Sequence, residues 1–144
     1  MADNKLIELE DRGNIAILRF NRPSVHNSLN GKLMEKWKVH LDEIETLPNI
    51  RSIIITGAGS KTFCSGGDLN YFASLKTEKA CLEMLHRMQS ITNRLFCGKW
   101  VVIAAVNGKT FGGGCEILTA CHFRIAVPHA SFVFKQAPNG IITG

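Results

Sequence analysis

Val101-Val102-Ile103-Ala104-Ala105-Val106-Asn107-Gly108-Lys109-Thr110-Phe111-Gly112-Gly113-Gly114-Cys115-Glu116-Ile117 is the stretch around which the chain is organised. Six β-branched or small apolar residues bounded by Asn107-Gly108 predict a buried strand. Three glycines follow, then residues that suit a helix. Glycines at a helix start let a ligand approach bare backbone N–H groups. Those groups lack partners inside the helix, and its dipole favours negative charge there. Glu116 lies three residues beyond Gly113, so both share a helix face, and its side chain leans back toward the N-terminus. The segment can therefore pair an anion-stabilising donor with a proton acceptor. The same glycines also suit close strand–helix packing with Glu116 as a solvated carboxylate. Gly108-Lys109-Thr110 imitates the end of a phosphate-binding P-loop. Ile103 stands where that motif needs glycine, and the glycines come after the Lys-Thr pair, which excludes it.

Outward from this stretch, the composition is that of a globular domain. The 144 residues are 45% hydrophobic and 20% charged, enough for one domain with a core. A net charge of +5 suits anionic ligands. The 17 Lys and Arg are scattered, against a dedicated nucleic-acid arm. Cys64, Cys81, Cys97, Cys115 and Cys121 are odd in number and show no C-x-x-C spacing. They are expected to be reduced core thiols in a cytoplasmic protein, with no metal site. No apolar run reaches membrane-spanning length, and the N-terminus has no signal-peptide core.

Leu6 to Glu10 and Ile15 to Phe20 predict a hairpin. Asn21-Arg22-Pro23 ends it, and Asn27 or Ser28 is expected to cap the following helix. Leu29, Leu33, Trp37, Leu41 and Ile44 carry that helix to about Thr46. Arg51 to Thr56 reads as a buried strand, and Phe63 to Leu69 holds a second glycine element, Cys64-Ser65-Gly66-Gly67-Asp68-Leu69. Leu69 to Lys76 reads as a loop. Thr77 to Phe96 predicts an amphipathic helix. Its stripe of Cys81, Met84, Leu85, Met88, Ile91 and Leu95 suits a core, or the floor of an acyl pocket. After the triple glycine come a short helix to about Ala120, a strand from Phe123 to Val127 and an extended piece from Ser131 to Phe134. Alternating strands and helices make the chain α/β.

Four stretches together resemble the crotonase, or enoyl-CoA hydratase/isomerase, superfamily. They are Asn21-Arg22-Pro23 through Asn27-Ser28-Leu29, Phe63 through Leu69, Asn107-Gly108 through Glu116, and Phe123-Arg124-Ile125-Ala126. The resemblance implies a spiral of repeated ββα units. Residues 1–144 would form its N-terminal core as a single domain that stops before the family's C-terminal helices. Such a piece is expected to be poorly closed by itself, with a homotrimer or hexamer formed at full length.

The resemblance also implies an acyl-CoA thioester as substrate, with coenzyme A entering as part of it and no separate cofactor. The thioester oxygen would sit between the amides of Gly67 and Gly113. Glu116 falls on the first of two family acid/base glutamates. Aligning Gly140 and Gly144 with family glycines puts Gln136 at the second. An amide can hold water but cannot take its proton, so a two-carboxylate hydratase is in doubt. Val25, His26, Ser65, Gly66, Gly67, Asp68, Leu69, Gly112 and Gly113 are the implied substrate and CoA contacts. Arg22 and His26 are candidate phosphate partners, or solvated loop side chains. Asp68 resembles a residue that fixes its loop, and His122 departs from the family's usual acid and reads as structural. Hydration, isomerisation, decarboxylation and hydrolysis all remain open, because one oxyanion hole serves each. The alternative from another class is a non-catalytic or RNA-binding member.

Overall fold

The computed structural model describes residues 5–140. The predicted hairpin forms from β1 (Ile7–Asp11) and β2 (Ile15–Phe20), antiparallel, with Ile7 opposite Phe20. Helix α1 spans Gly31–Thr46, and its apolar stripe of Leu33, Met34, Trp37, Leu41 and Ile44 is buried. Its cap is neither Asn27 nor Ser28 but Asn30, whose side chain accepts a hydrogen bond from Leu33 N. Asn27 is held elsewhere: it is buried, with φ 56°, and its Nδ2 donates to Thr62 O at 2.8 Å. The chain next runs beside the glycine loop, where Leu29 bridges to Gly67. The helix therefore starts later than the sequence suggested.

β3 (Ser52–Gly57) and β5 (Val101–Val106) follow in parallel with β2, and β7 (Phe123–Ala126) completes a sheet ordered β1-β2-β3-β5-β7. Ala16, Ile53 and Val102 stand in one buried row, and Leu18, Ile55 and Ala104 in the next. Ile54 and Ile103 point to the other face and are only half-buried, so β3 and β5 alternate rather than being buried on both faces. The buried rows join one core with α1, with Ile91 and Leu95 of α3 (Glu78–Cys97), and with Ile117 and Leu118 of α4 (Gly113–Thr119). Phe20 sits at its centre, edge-on to Trp37 at 5.0 Å and to Phe63 at 5.7 Å. The edge strand β7 is exposed along its length, with Phe123 60% and Ile125 68% exposed.

A second sheet was not legible in the sequence. β4 (Thr62–Cys64), β6 (Lys109–Phe111) and β8 (Phe132–Val133) pair in parallel, in that order. Strands of two or three residues carry no detectable period. β3, β5 and β7 are each followed by a short strand of the second sheet, and β3–β4 and β5–β6 then by a helix. This is the repeated ββα spiral. The expected loop from Leu69 to Lys76 instead contains α2 (Leu69–Ser74), capped by the Asp68 carboxylate at Asn70 N and Tyr71 N. Among the described residues, no helix is long and apolar enough to cross a membrane.

Candidate active site

The second sheet brings two glycine loops together. One leaves β4 through Ser65-Gly66-Gly67-Asp68, and the other leaves β6 through Gly112 into α4. They meet backbone to backbone. A Cβ added to Gly66 would stand 2.9 Å from Phe111 O and 3.1 Å from Gly113 N, and Gly66 itself has φ 88°. No side chain fits that approach, and an L-residue would be strained in that conformation.

The three glycines stand in different surroundings, and Glu116 is bonded to Gln136 rather than a solvated carboxylate. Gly112 turns the chain at φ 49°. Gly114 packs on β4, since a Cβ there would lie 2.6 Å from Cys64 O. Gly113 is different: the atoms nearest to a Cβ there would be Leu29 Cδ1 at 3.5 Å, Gly66 Cα at 3.8 Å and Gly67 N at 3.9 Å, all at ordinary contact distance. That side therefore faces the amide of Gly67. Gly113 is the first residue of α4, where the N–H has no acceptor within the helix. The bridge to Leu29 uses Gly66 O and Asp68 N, each at 2.8 Å, and leaves out Gly67's own N–H. Two neighbouring amides thus border a cleft of about 1050 Å³.

Glu116 lines the same cleft, one turn along α4 from Gly113. Gln136, from the segment after β8, reaches it: Nε2 donates to Glu116 Oε1 at 2.7 Å. This is a charge-assisted bond when the carboxylate is ionised. It fixes which end of the amide is which, because only the NH2 can donate. Gln136 is 9% exposed, and its Oε1 is buried without a hydrogen-bond partner. An unpaired buried acceptor costs about 1–3 kcal/mol, an arrangement that stability alone does not select.

The expected contact residues fall into two groups. Val25, His26, Ser65, Gly66, Gly67, Leu69, Gly112 and Gly113 all border the cleft. The loop of the 3₁₀ turn Pro23–Val25 is tied to the glycine loop by Ser65 N donating to His26 O at 3.0 Å. Asp68 also borders the cleft, but its carboxylate is engaged, by α2 on one side and by Arg22 Nη2 at 2.9 Å on the other. Burial opposes its ionisation, but the Arg22 guanidinium and the amides of Tyr71 and Asn70 outweigh that and hold its pKa below the usual value. Arg22 also donates to Ser28 O at 2.6 Å, so it braces two loops and is not a solvated side chain. His26 is exposed. His122 is structural: its Nδ1 accepts from Val102 N at 3.0 Å, and its ring stacks on Phe96.

Helix α3 divides its stripe. Ile91 and Leu95 enter the core, while Met84, Leu85 and Met88 line the cleft. The cysteines divide too. Cys64, Cys115 and Cys121 are buried, but Cys97 is exposed and Cys81 half-buried, so not all are core thiols. Phe72 of α2 lines the cleft and went unnoticed in the sequence. Its only signal there was an aromatic four residues after Asp68.

A ββα spiral with two glycine loops meeting at a helix start, and a carboxylate one turn further, is the architecture of the crotonase fold. The chain belongs to the enoyl-CoA hydratase/isomerase family, whose model matches residues 10–144. It is 36% identical over 137 residues to the short-chain-enoyl-CoA hydratase of Clostridium acetobutylicum, covering 94% of this chain and 52% of that protein. It is 33% identical over 135 residues to the ethylmalonyl-CoA decarboxylase of Gallus gallus, covering 94% of this chain and 45% of that protein. The crystal structure of enoyl-CoA hydratase from Bacillus anthracis superposes with a TM-score of 0.90 at 33% identity, covering 96% of this chain and 54% of that one. The chain therefore spans about half the length of the relatives it matches.

Proposed function

We propose that the protein processes an acyl-CoA thioester through an enolate, with the thioester oxygen held by the amides of Gly67 and Gly113. The observation that carries this reading is the approach of those two loops, close enough that a Cβ added at Gly113 would stand 3.9 Å from Gly67 N. Donors fixed in place stabilise the charge that develops on the oxygen, and losing one costs on the order of 10²–10³ in rate. Glu116 is the acid/base group. It takes a proton from, or returns one to, the carbon beside the thioester, while the electron pair resides on the enolate oxygen. Coenzyme A arrives with the substrate and no separate cofactor takes part.

Gln136 occupies the place of a second carboxylate and has no proton to exchange near neutral pH. A reaction with one acid/base step therefore fits better than addition of water. Decarboxylation is such a reaction: the carbon–carboxylate bond breaks, its electron pair enters the enolate, carbon dioxide leaves, and an acid protonates the carbon. The names of the relatives span both chemistries, hydratase and decarboxylase. At full length the protein is expected to act as a homotrimer or hexamer.

The test is mass spectrometry on a panel of alkylmalonyl-CoA, 2-enoyl-CoA and saturated acyl-CoA esters in D2O. Deuterium at the α-carbon of any of them, dependent on Glu116, supports the reading. No exchange and no conversion across the panel would overturn it.

A further inference from the structure

Gly67 has no positive φ, so its backbone does not demand glycine. What demands it is a neighbour. A methyl group added at Gly67 would overlap Cζ and Cε2 of the Phe72 ring. The ring therefore lies where a side chain at the donor residue would be. It is held there by the turn that carries the donor: Phe72 N donates to Asp68 O at 2.9 Å, and Asp68 is fixed by Arg22. No residue of α2 is fully buried. The Phe72 ring borders the cleft together with Met84, Leu85 and Met88.

We propose that Phe72 is a specificity-determining residue that limits the length of the acyl group, by walling the cleft at the Gly67 donor. This rests on the acyl-CoA reading above. A carbonyl oxygen bound to Gly67 N–H brings its acyl carbons within a few bonds of that residue, hence within van der Waals reach of the ring. Met84, Leu85 and Met88 of the same lining are flexible side chains that adapt to different chains. The aromatic ring is rigid and lies against Gly67 of the braced loop. It is the part of the lining that sets a limit.

The experiment measures Kd by calorimetry for butyryl-, hexanoyl-, octanoyl- and decanoyl-CoA. The protein is compared with Phe72→Ala, Phe72→Leu, Gly67→Ala and the double variant Gly67→Ala/Phe72→Ala. In the unaltered protein, affinity should stop rising beyond a short chain. In Phe72→Ala the optimum should move to longer chains, each newly accommodated methylene adding about fourfold in affinity. Phe72→Leu should fall between, and serves should the alanine variant fail to fold. Gly67→Ala should weaken every ester, and adding Phe72→Ala should restore much of the loss. A chain-length profile unchanged in both folded Phe72 variants overturns this assignment and leaves the acyl-CoA reading standing. Failure of every ester to bind any of the proteins overturns both.

Discussion

Gln136 Nε2 stands 2.7 Å from Glu116 Oε1, a contact between side chains twenty residues apart. It joins the segment after β8 to the first turn of α4 and sets an amide beside the carboxylate of the proposed acid/base group. Glu116→Gln should lower turnover about 10²–10⁴-fold with little change in acyl-CoA affinity. Gln136→Ala should cost less. Steady-state kinetics with direct binding measurements separate the two effects.

Gln136→Glu is the sharper change. It sets a second carboxylate beside Glu116 and should create or raise hydration of crotonyl-CoA, followed by loss of the enoyl absorbance. If the unaltered protein already hydrates crotonyl-CoA at a typical enzyme rate, with turnover insensitive to Glu116→Gln, the acid/base assignment is wrong.

Gly113→Pro removes one donor and keeps the helix. Proline is well tolerated at the first helical position, where the N–H lacks an acceptor in any case. Activity should fall at least about 10²-fold, with far-ultraviolet circular dichroism unchanged.

The Arg22–Asp68 pair should show in stability against pH. Asp68→Asn keeps a side chain able to cap α2 and removes the charge. It should cost about 1–3 kcal/mol in urea unfolding at pH 7. The folded-state pKa of Asp68 lies below the ordinary value, so its contribution is complete above the unfolded carboxylate pKa near about 4. It is lost as pH falls through the lower, folded-state pKa. The difference between the two proteins should shrink over that acid range and stay constant above it.

Thiol alkylation at pH 8 should distinguish the cysteines. Burial pushes the Cys64 and Cys121 thiols up to about 12 and also raises Cys115. These three remain protonated and enclosed in the folded protein. Cys97, being exposed, should react first and half-buried Cys81 next, with the others following only on unfolding. Mass spectrometry of timed samples reads the order directly.

The sequence by itself determined the local features. Short runs of apolar residues set β2, β3 and β5, helical spacing set α1 and α3, and Glu116 had to share a face with Gly113, because those features follow from local composition and the helical period. The glycine loops were legible for the same reason, since glycine marks places where side chains do not fit. Tertiary structure decided what depends on distant partners. β4, β6 and β8 are too short to show a period and exist because they pair with one another. Asn27 had the composition of a cap, but its amide found Thr62 and Ala58, and capping passed to Asn30. The triple glycine permitted packing or ligand approach, and the position of Cys64 made packing the requirement at Gly114, while Gly113 borders the cleft. Phe72 became part of the cleft only when α2 folded over Gly67. Side-chain contact across tens of residues depends on strand order and register, and no local pattern encodes which residues that register brings face to face.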